Sequence, residues 1–194
     1  MTGIVLCGGK SSRMGQDKGL MSTSTSTWTQ AAIDKLATLK IPVKISVNKD
    51  QFNEYAKLFP VADLVSDNTA LSLKGPLLGV LSSHLQFPDE DLFVLACDLP
   101  LMQTSLLQEL YSLYQQDSGN TAFVFTTDGE PEPLCGIYKA RGLSFILSLL
   151  QSGQLLKYSM KFSLDHLQVK SIVAPDEQKK YFKNVNAHAD LNGL

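Results

Sequence analysis

The chain has little cysteine. Cys7, Cys97 and Cys135 are the only ones in 194 residues, odd in number and without C-x-x-C spacing. That argues against a disulfide frame or zinc site and favours free thiols in a reducing compartment, so a cytoplasmic location is expected. Small buried residues at strand ends account for all three, since free Cys behaves as a small hydrophobe. Histidine is also scarce, and His84, His166 and His188 lack the Asp or Ser spacing of a hydrolytic triad. Charge of one sign is lacking too. A net charge of −2 argues against nucleic-acid or membrane binding, so any anionic ligand must meet a local cluster of cations. No long apolar run exists. Ile4-Val5-Leu6 is too short for a signal core or a membrane span, and no basic n-region precedes it, so the chain is expected to be soluble and unprocessed.

Glycines and cations are concentrated between Leu6 and Lys18, in Leu-Cys-Gly-Gly-Lys-Ser-Ser-Arg-Met-Gly-Gln-Asp-Lys. Gly8, Gly9 and Gly15 lack the Cβ that keeps a backbone away from a ligand, so N–H groups here can reach phosphate oxygens. Lys10, Arg13 and Lys18 supply countercharge. Two better-known phosphate loops do not fit. The first glycine of a P-loop would fall at position 4, where Ile4 stands, and adjacent Gly8 and Gly9 break the G-x-G-x-x-G fingerprint.

After a first strand over residues 4–6, helical periods alternate with short apolar runs. Trp28, Ala32, Leu36 and Leu39 mark a helix before Pro42, and a strand follows at 43–47. Residues 52–59 repeat the helical spacing, and 61–65 read as a strand. Gly75-Pro76 opens a third helix. Residues 92–96 are the clearest buried strand, and 106–114 an amphipathic helix. Strands at 122–125 and 134–138 flank turn material at 126–131, a helix follows at 143–150, and alternation over 167–173 indicates a half-buried edge strand. Residues 22–27, a Ser/Thr tract, are expected to be a mobile surface loop. The length suits one domain over residues 1–194. Strand and helix alternation implies an α/β fold, a Rossmann-like three-layer sandwich with a mostly parallel, mixed sheet.

In such sheets ligands bind beyond the carboxyl ends of the strands, where the glycine loop, Asn48, Asp67 and Asp98 all fall. Asp98 ends an apolar strand and suits Mg²⁺, which takes one or two carboxylates with phosphates and waters; the alternative is a helix N-cap or a turn Asp before Pro100. Lys18 matches a point charge on phosphate oxygens and Arg13 a planar clamp, although either could be a solvated loop charge.

The Leu6 to Lys18 stretch resembles the signature of the MobA-like nucleotidyltransferases, the molybdenum cofactor guanylyltransferases. Later blocks agree in order: Val47-Asn48, Ser66-Asp67, Gly75-Pro76-Leu77-Leu78-Gly79, Cys97-Asp98-Leu99-Pro100, Pro133 to Tyr138, and Phe182 to Asn186 leading to Asp190-Leu191. The resemblance implies a nucleotide-diphospho-sugar transferase-like fold. It also implies that Leu6, Cys7, Gly8, Gly9 and Lys18 bind GTP, that Asn48 and Asp67 hold the guanosine, and that Asp98 binds Mg²⁺ beside the nucleotide. Lys18, Asp98 and Arg13 become the catalytic set, and Asn184 and Asn186 would face metal or acceptor. The sequence departs from the family at Cys7, where Ala is usual, and at residues 22–27, which replace a Gly-Lys-Pro turn.

The implied reaction transfers GMP from GTP to the terminal phosphate of molybdopterin or its molybdenum-loaded form, releasing pyrophosphate. Implied partners are these small molecules, with transient contact to molybdenum insertion proteins or molybdoenzymes, and neither nucleic acid nor membrane. A phosphate monoester, with a second pKa near about 6, needs no strong base, so the absence of a placed His is consistent. Two alternatives stay open: a related cytidylyltransferase acting on molybdopterin or another small phosphorylated acceptor, and a non-catalytic nucleotide-binding protein.

Overall fold

The structure is a computed structural model that describes residues 1–8, 17–22 and 26–185. The chain runs β1 (Thr2–Leu6), α1 (Trp28–Ala37), β2 (Val43–Val47), α2 (Phe52–Tyr55), β3 (Leu64–Ser66), α3 (Pro76–Gln86) and β4 (Leu92–Ala96). It continues through α4 (Thr104–Gln116), β5 (Ala122–Thr127), β6 (Glu130–Tyr138), α5 (Ala140–Gln151), α6 (Met160–Leu164) and β7 (Val169–Val173). The strands form one sheet in the order β3-β2-β1-β4-β6-β5-β7. Its first four strands are parallel, β6 runs against both its neighbours, and β7 lies parallel to β5 at the edge.

Alternation along the strands sorts side chains onto two faces. Val5, Phe93, Leu95 and Phe123 pack with Leu36 of α1 and Leu107 of α4. Ile4, Leu92 and Val94 point the other way, against Leu77 and Leu81 of α3 and Leu143 of α5. The central strands are thus apolar on both sides, as a sheet covered by two helical layers requires. The expected three-layer α/β sandwich is observed. Among the described residues no helix is long and apolar enough to cross a membrane.

Parallel register levels the strand ends. Leu6 pairs with Ser46 on one side and Ala96 on the other, and Val47 pairs with Ser66. Beyond the strands Cys7 donates its N–H to the Ser46 carbonyl at 2.9 Å, Asp67 to Val47 at 3.0 Å and Cys97 to Leu6 at 3.1 Å. Gly8, Asn48, Asp67 and Asp98 therefore emerge side by side.

Several sequence expectations change. The second helix is a single turn, and the strand placed at 61–65 is confined to Leu64–Ser66 because a 3-10 turn, Val61–Asp63, follows Pro60. Asp128 and Gly129 both have positive φ, 52° and 79°, so a two-residue turn joins β5 to β6 and the turn is narrower than expected. The edge strand lies where expected, but every position of it except Ile172 is exposed, so the expected half-buried alternation is not seen. Val169 and Val173 are exposed, while Ile172 and the buried Ala174 face the core. In the Ser/Thr tract, Ser22 pairs with Thr27 across an antiparallel bridge. The Thr27 hydroxyl also accepts the Gln30 N–H at 3.1 Å as the α1 cap, so the flanks of this stretch are built in. Residues 23–25 lie outside the described residues.

Candidate active site

Lys18 opens a 3-10 turn, Lys18–Leu20, whose N-cap is Asp17. Its ammonium Nζ lies 3.7 Å from Asp98 Oδ2, and both side chains are largely covered, at 19% and 21% exposure. Burial raises the Asp98 pKa above the ordinary carboxylate value, while the charge and hydrogen bond of Lys18 act in the opposite direction. A cation at this carboxylate is therefore favoured. The Asp98 carbonyl accepts the Val185 N–H at 3.0 Å, and the exposed Asn184 precedes that contact.

Beside this pair a cleft of about 260 Å³ opens between the ends of β1, β2 and β3 and the start of α3. Leu6, Gly8, Ser46, Asn48, Asp67 and Gly79 contribute to its wall. A Cβ added to Gly8 would stand 3.8 Å from the Asn48 nitrogen and 3.9 Å from Asp67 Oδ2. Protein packing would tolerate it, so the bare backbone leaves space at the mouth of the cleft. Burial pushes the Asp67 carboxyl up to about 6, and its Oδ1 is buried without a hydrogen-bond partner among the described residues. The Ser46 hydroxyl is likewise unpartnered, and Gly79 passes so near that a Cβ there would sit 2.6 Å from it. Buried polar atoms without partners cost free energy and mark places where a ligand can supply them.

The expected site residues divide accordingly. Lys18 and Asp98 meet, and Leu6, Gly8, Asn48 and Asp67 gather at the cleft. The polar groups of Asn48 are partly engaged, since its Oδ1 accepts the Gln51 N–H at 3.0 Å. Cys7 is engaged throughout. Its N–H goes to Ser46, its carbonyl accepts from Gln51 Nε2 at 3.0 Å, and its thiol lies 3.3 Å from the Thr29 hydroxyl beneath the site. Gly9, Arg13 and Asn186 lie outside the described residues. The hydrogen bond of the Cys97 thiol to Cys7, followed by burial, pushes the Cys97 thiol well up, and burial pushes Cys135 up to about 12. Both remain neutral, inert thiols at ordinary pH.

Sequence reasoning missed the bracing residues Gln51, Tyr55 and Thr29, and it missed Ser46. A buried Ser within the apolar run of β2 was the only local signal. A wider hollow of about 730 Å³ lies at the opposite end of the sheet, bordered by Asp91, Tyr114 and Lys139. Its polar groups satisfy each other. Tyr114 and the Ala140 N–H donate to Asp91 at 2.7 and 2.8 Å, and Lys139 donates to the Asp117 carbonyl at 2.8 Å.

Among the described residues no group of three or more His, Cys, Asp or Glu side chains forms a ready metal site. A lone carboxylate suits Mg²⁺ when substrate phosphates complete its shell, so the donor set at Asp98 fits that ion.

The MobA-like NTP transferase domain matches residues 3–167, which carry the Lys18 turn, the cleft and Asp98. The chain belongs to this family. A relative in Flavobacterium johnsoniae, described as a "Probable molybdenum cofactor guanylyltransferase", is 30% identical over all of this chain and 96% of its own length. The molybdenum cofactor guanylyltransferase of Campylobacter jejuni is 28% identical over 96% of this chain and 91% of its own. Among solved structures, molybdopterin-guanine dinucleotide biosynthesis protein A from Archaeoglobus fulgidus superposes with a TM-score of 0.79 at 20% identity, covering 100% of this chain and 96% of that one. A cytidylyltransferase from Leptospira borgpetersenii reaches 0.65 at 13% identity, over 98% and 83%. The MobA-like fold is thus similar to proteins named for different bases, and the fold alone does not choose the base.

Proposed function

We propose that this MobA-like chain, acting as a single domain, transfers GMP from GTP to the terminal phosphate of molybdopterin and releases pyrophosphate. The observation that carries this reading is the Lys18 ammonium set against the largely covered Asp98 carboxylate, 3.7 Å away, at strand ends shared with a base-sized cleft. The relatives' names support the guanine and the acceptor.

An oxygen of the acceptor phosphate attacks the α-phosphorus, a P–O bond forms, and the bond from the α-phosphorus to the bridging oxygen breaks with pyrophosphate as leaving group. No proton must be removed, because a phosphate monoester is largely dianionic at neutral pH. Lys18 offsets negative charge on the phosphates, and the Gly8 backbone permits their close approach. Asp98 would hold Mg²⁺, which when bound supplies further positive charge to phosphate oxygens. Asp67 and Ser46 offer buried hydrogen-bonding groups to the base. Guanine's N1–H and exocyclic amine are two adjacent donors that the unpartnered Asp67 carboxylate oxygen can accept, whereas cytosine presents only its single exocyclic amine.

Incubation with GTP, CTP, Mg²⁺ and molybdopterin, followed by identification of the dinucleotide, tests base, acceptor and activity together. Formation of the guanine dinucleotide is expected. A cytosine dinucleotide alone, or no pyrophosphate release, would overturn the proposal.

A further inference from the structure

Gln51 is half-buried at the start of α2, and its side chain makes no cap bond to its own helix. Its carboxamide instead reaches across the sheet end. Nε2 donates to the Cys7 carbonyl at 3.0 Å and also to Asp17 Oδ2. Oε1 accepts the Asn48 N–H at 3.1 Å. Both amide hydrogens and the oxygen are thus used, on partners from β1, β2 and the Lys18 turn. The Asp17 carboxylate is held further by the Tyr55 hydroxyl at 3.0 Å and the Gly19 N–H at 2.9 Å. Gly19 is fixed in turn, because Thr29 donates to its carbonyl at 2.8 Å. Lys18 therefore sits between two clamped neighbours.

We propose that Gln51 is a positioning residue for the triphosphate: it ties the end of β1 to Asp17, so that the Gly8 backbone and the Lys18 ammonium face one ligand in a fixed relation. This rests on the nucleotidyltransferase reading above, but it concerns the triphosphate and not the base. The role needs a double donor. Glutamate at 51 would turn an oxygen toward the Cys7 carbonyl and the Asp17 carboxylate, and methionine would leave both without the amide. Among the described residues the titratable groups in contact with this bridge are Asp17 on the Lys18 turn, Cys7 just past the end of β1 and Tyr55 on α2. Tyr55 stays a protonated donor, since burial drives its hydroxyl far above the ordinary phenol value.

The test compares wild type, Gln51→Met and Gln51→Glu by equilibrium titration with GTP and CTP, with separate KM values for nucleotide and acceptor, and with thermal unfolding as a folding check. Gln51→Met is expected to weaken binding of whichever triphosphate the wild type takes about 10-fold, the scale of one hydrogen bond to a charged group, and to leave the acceptor KM unchanged. Gln51→Glu carries a distinct signature. Its carboxyl beside Asp17 titrates above the ordinary range, and once protonated its O–H again donates to Asp17. Its affinity relative to wild type should therefore recover as pH falls from about 8.5 to about 6.5. An unchanged nucleotide affinity in folded Gln51→Met, an equal loss in both KM values, or no acid recovery in Gln51→Glu overturns the assignment. If wild type binds CTP and not GTP, the guanylyl reading fails while the Gln51 effect is still read, on CTP. If it binds neither, both fall.

Discussion

Replacing Asp67 with Asn should stabilise the free protein and weaken its grip on GTP. Burial lifts the Asp67 carboxyl to about 6, and its Oδ1 has no partner among the described residues, so ionising it in the folded state is unfavourable. The ordinary carboxylate value is near about 4, and each pH unit is worth about 1.4 kcal/mol, which sets a ceiling near about 3 kcal/mol. Because the side chain is only half-buried, solvent screening reduces this to roughly 1 kcal/mol. The sign follows from linkage. Below about pH 4 both folded and unfolded chains are protonated and the group has no effect; between about 4 and 6 the unfolded chain ionises first; above about 6 the full penalty applies. The advantage of Asp67→Asn over wild type should thus be absent near pH 4 and complete by pH 7, appearing as a Tm rise of about 2–4 °C. GTP affinity should move the other way. Exchanging an ionised acceptor for a neutral amide loses about 1.5–3 kcal/mol, or roughly 10- to 100-fold in Kd, and wild-type affinity should itself decline as pH drops through about 6. Differential scanning fluorimetry across pH, paired with calorimetric GTP titration, reads both. An Asn variant less stable than wild type at pH 8, or one binding GTP equally well, would refute the reasoning.

Asp98→Ala should remove most turnover at saturating GTP and Mg²⁺, and wild-type rates in a coupled pyrophosphate assay would dismiss its role. Lys18→Ala should raise the KM for GTP and lower kcat together, as expected if the proposed role of its charge on the phosphates holds in ground and transition states alike; a change in the acceptor KM alone would contradict this. Gly19→Ala should destabilise the fold by about 1–3 kcal/mol in urea unfolding, because the new Cβ would fall 2.1 Å from the Tyr55 hydroxyl and 2.7 Å from the Thr29 hydroxyl. Unchanged stability would show that this turn gives way more easily than its packing implies.

Much of the fold was legible because its signals are local. Leu92 to Ala96 is continuously apolar and entirely buried, and the helical period of residues 106–114 lies within α4. The edge strand was harder to read. Val169, Ser171 and Val173 alternate convincingly, yet all three are exposed and only Ile172 of β7 packs against the core, because an edge strand with one neighbour can leave most of its side chains in solvent. The candidate site was legible where a residue type is chemically distinctive at a strand end, as with Asp67 and Asp98. Gln51 gave no such sign, since its partners lie 44 and 34 positions away and only the folded sheet brings them together.

The common level at which β1, β2, β3 and β4 end also has a kinetic side. The amides of Cys7, Asp67 and Cys97 are each held by the carbonyl of a neighbouring parallel strand, and those strands come from distant parts of the chain. Such pairings form only after long loops have closed, so a half-folded chain has no aligned rim to offer a nucleotide. Ligand protection should consequently spread across all three amides in hydrogen exchange, as one cooperative unit slowed together.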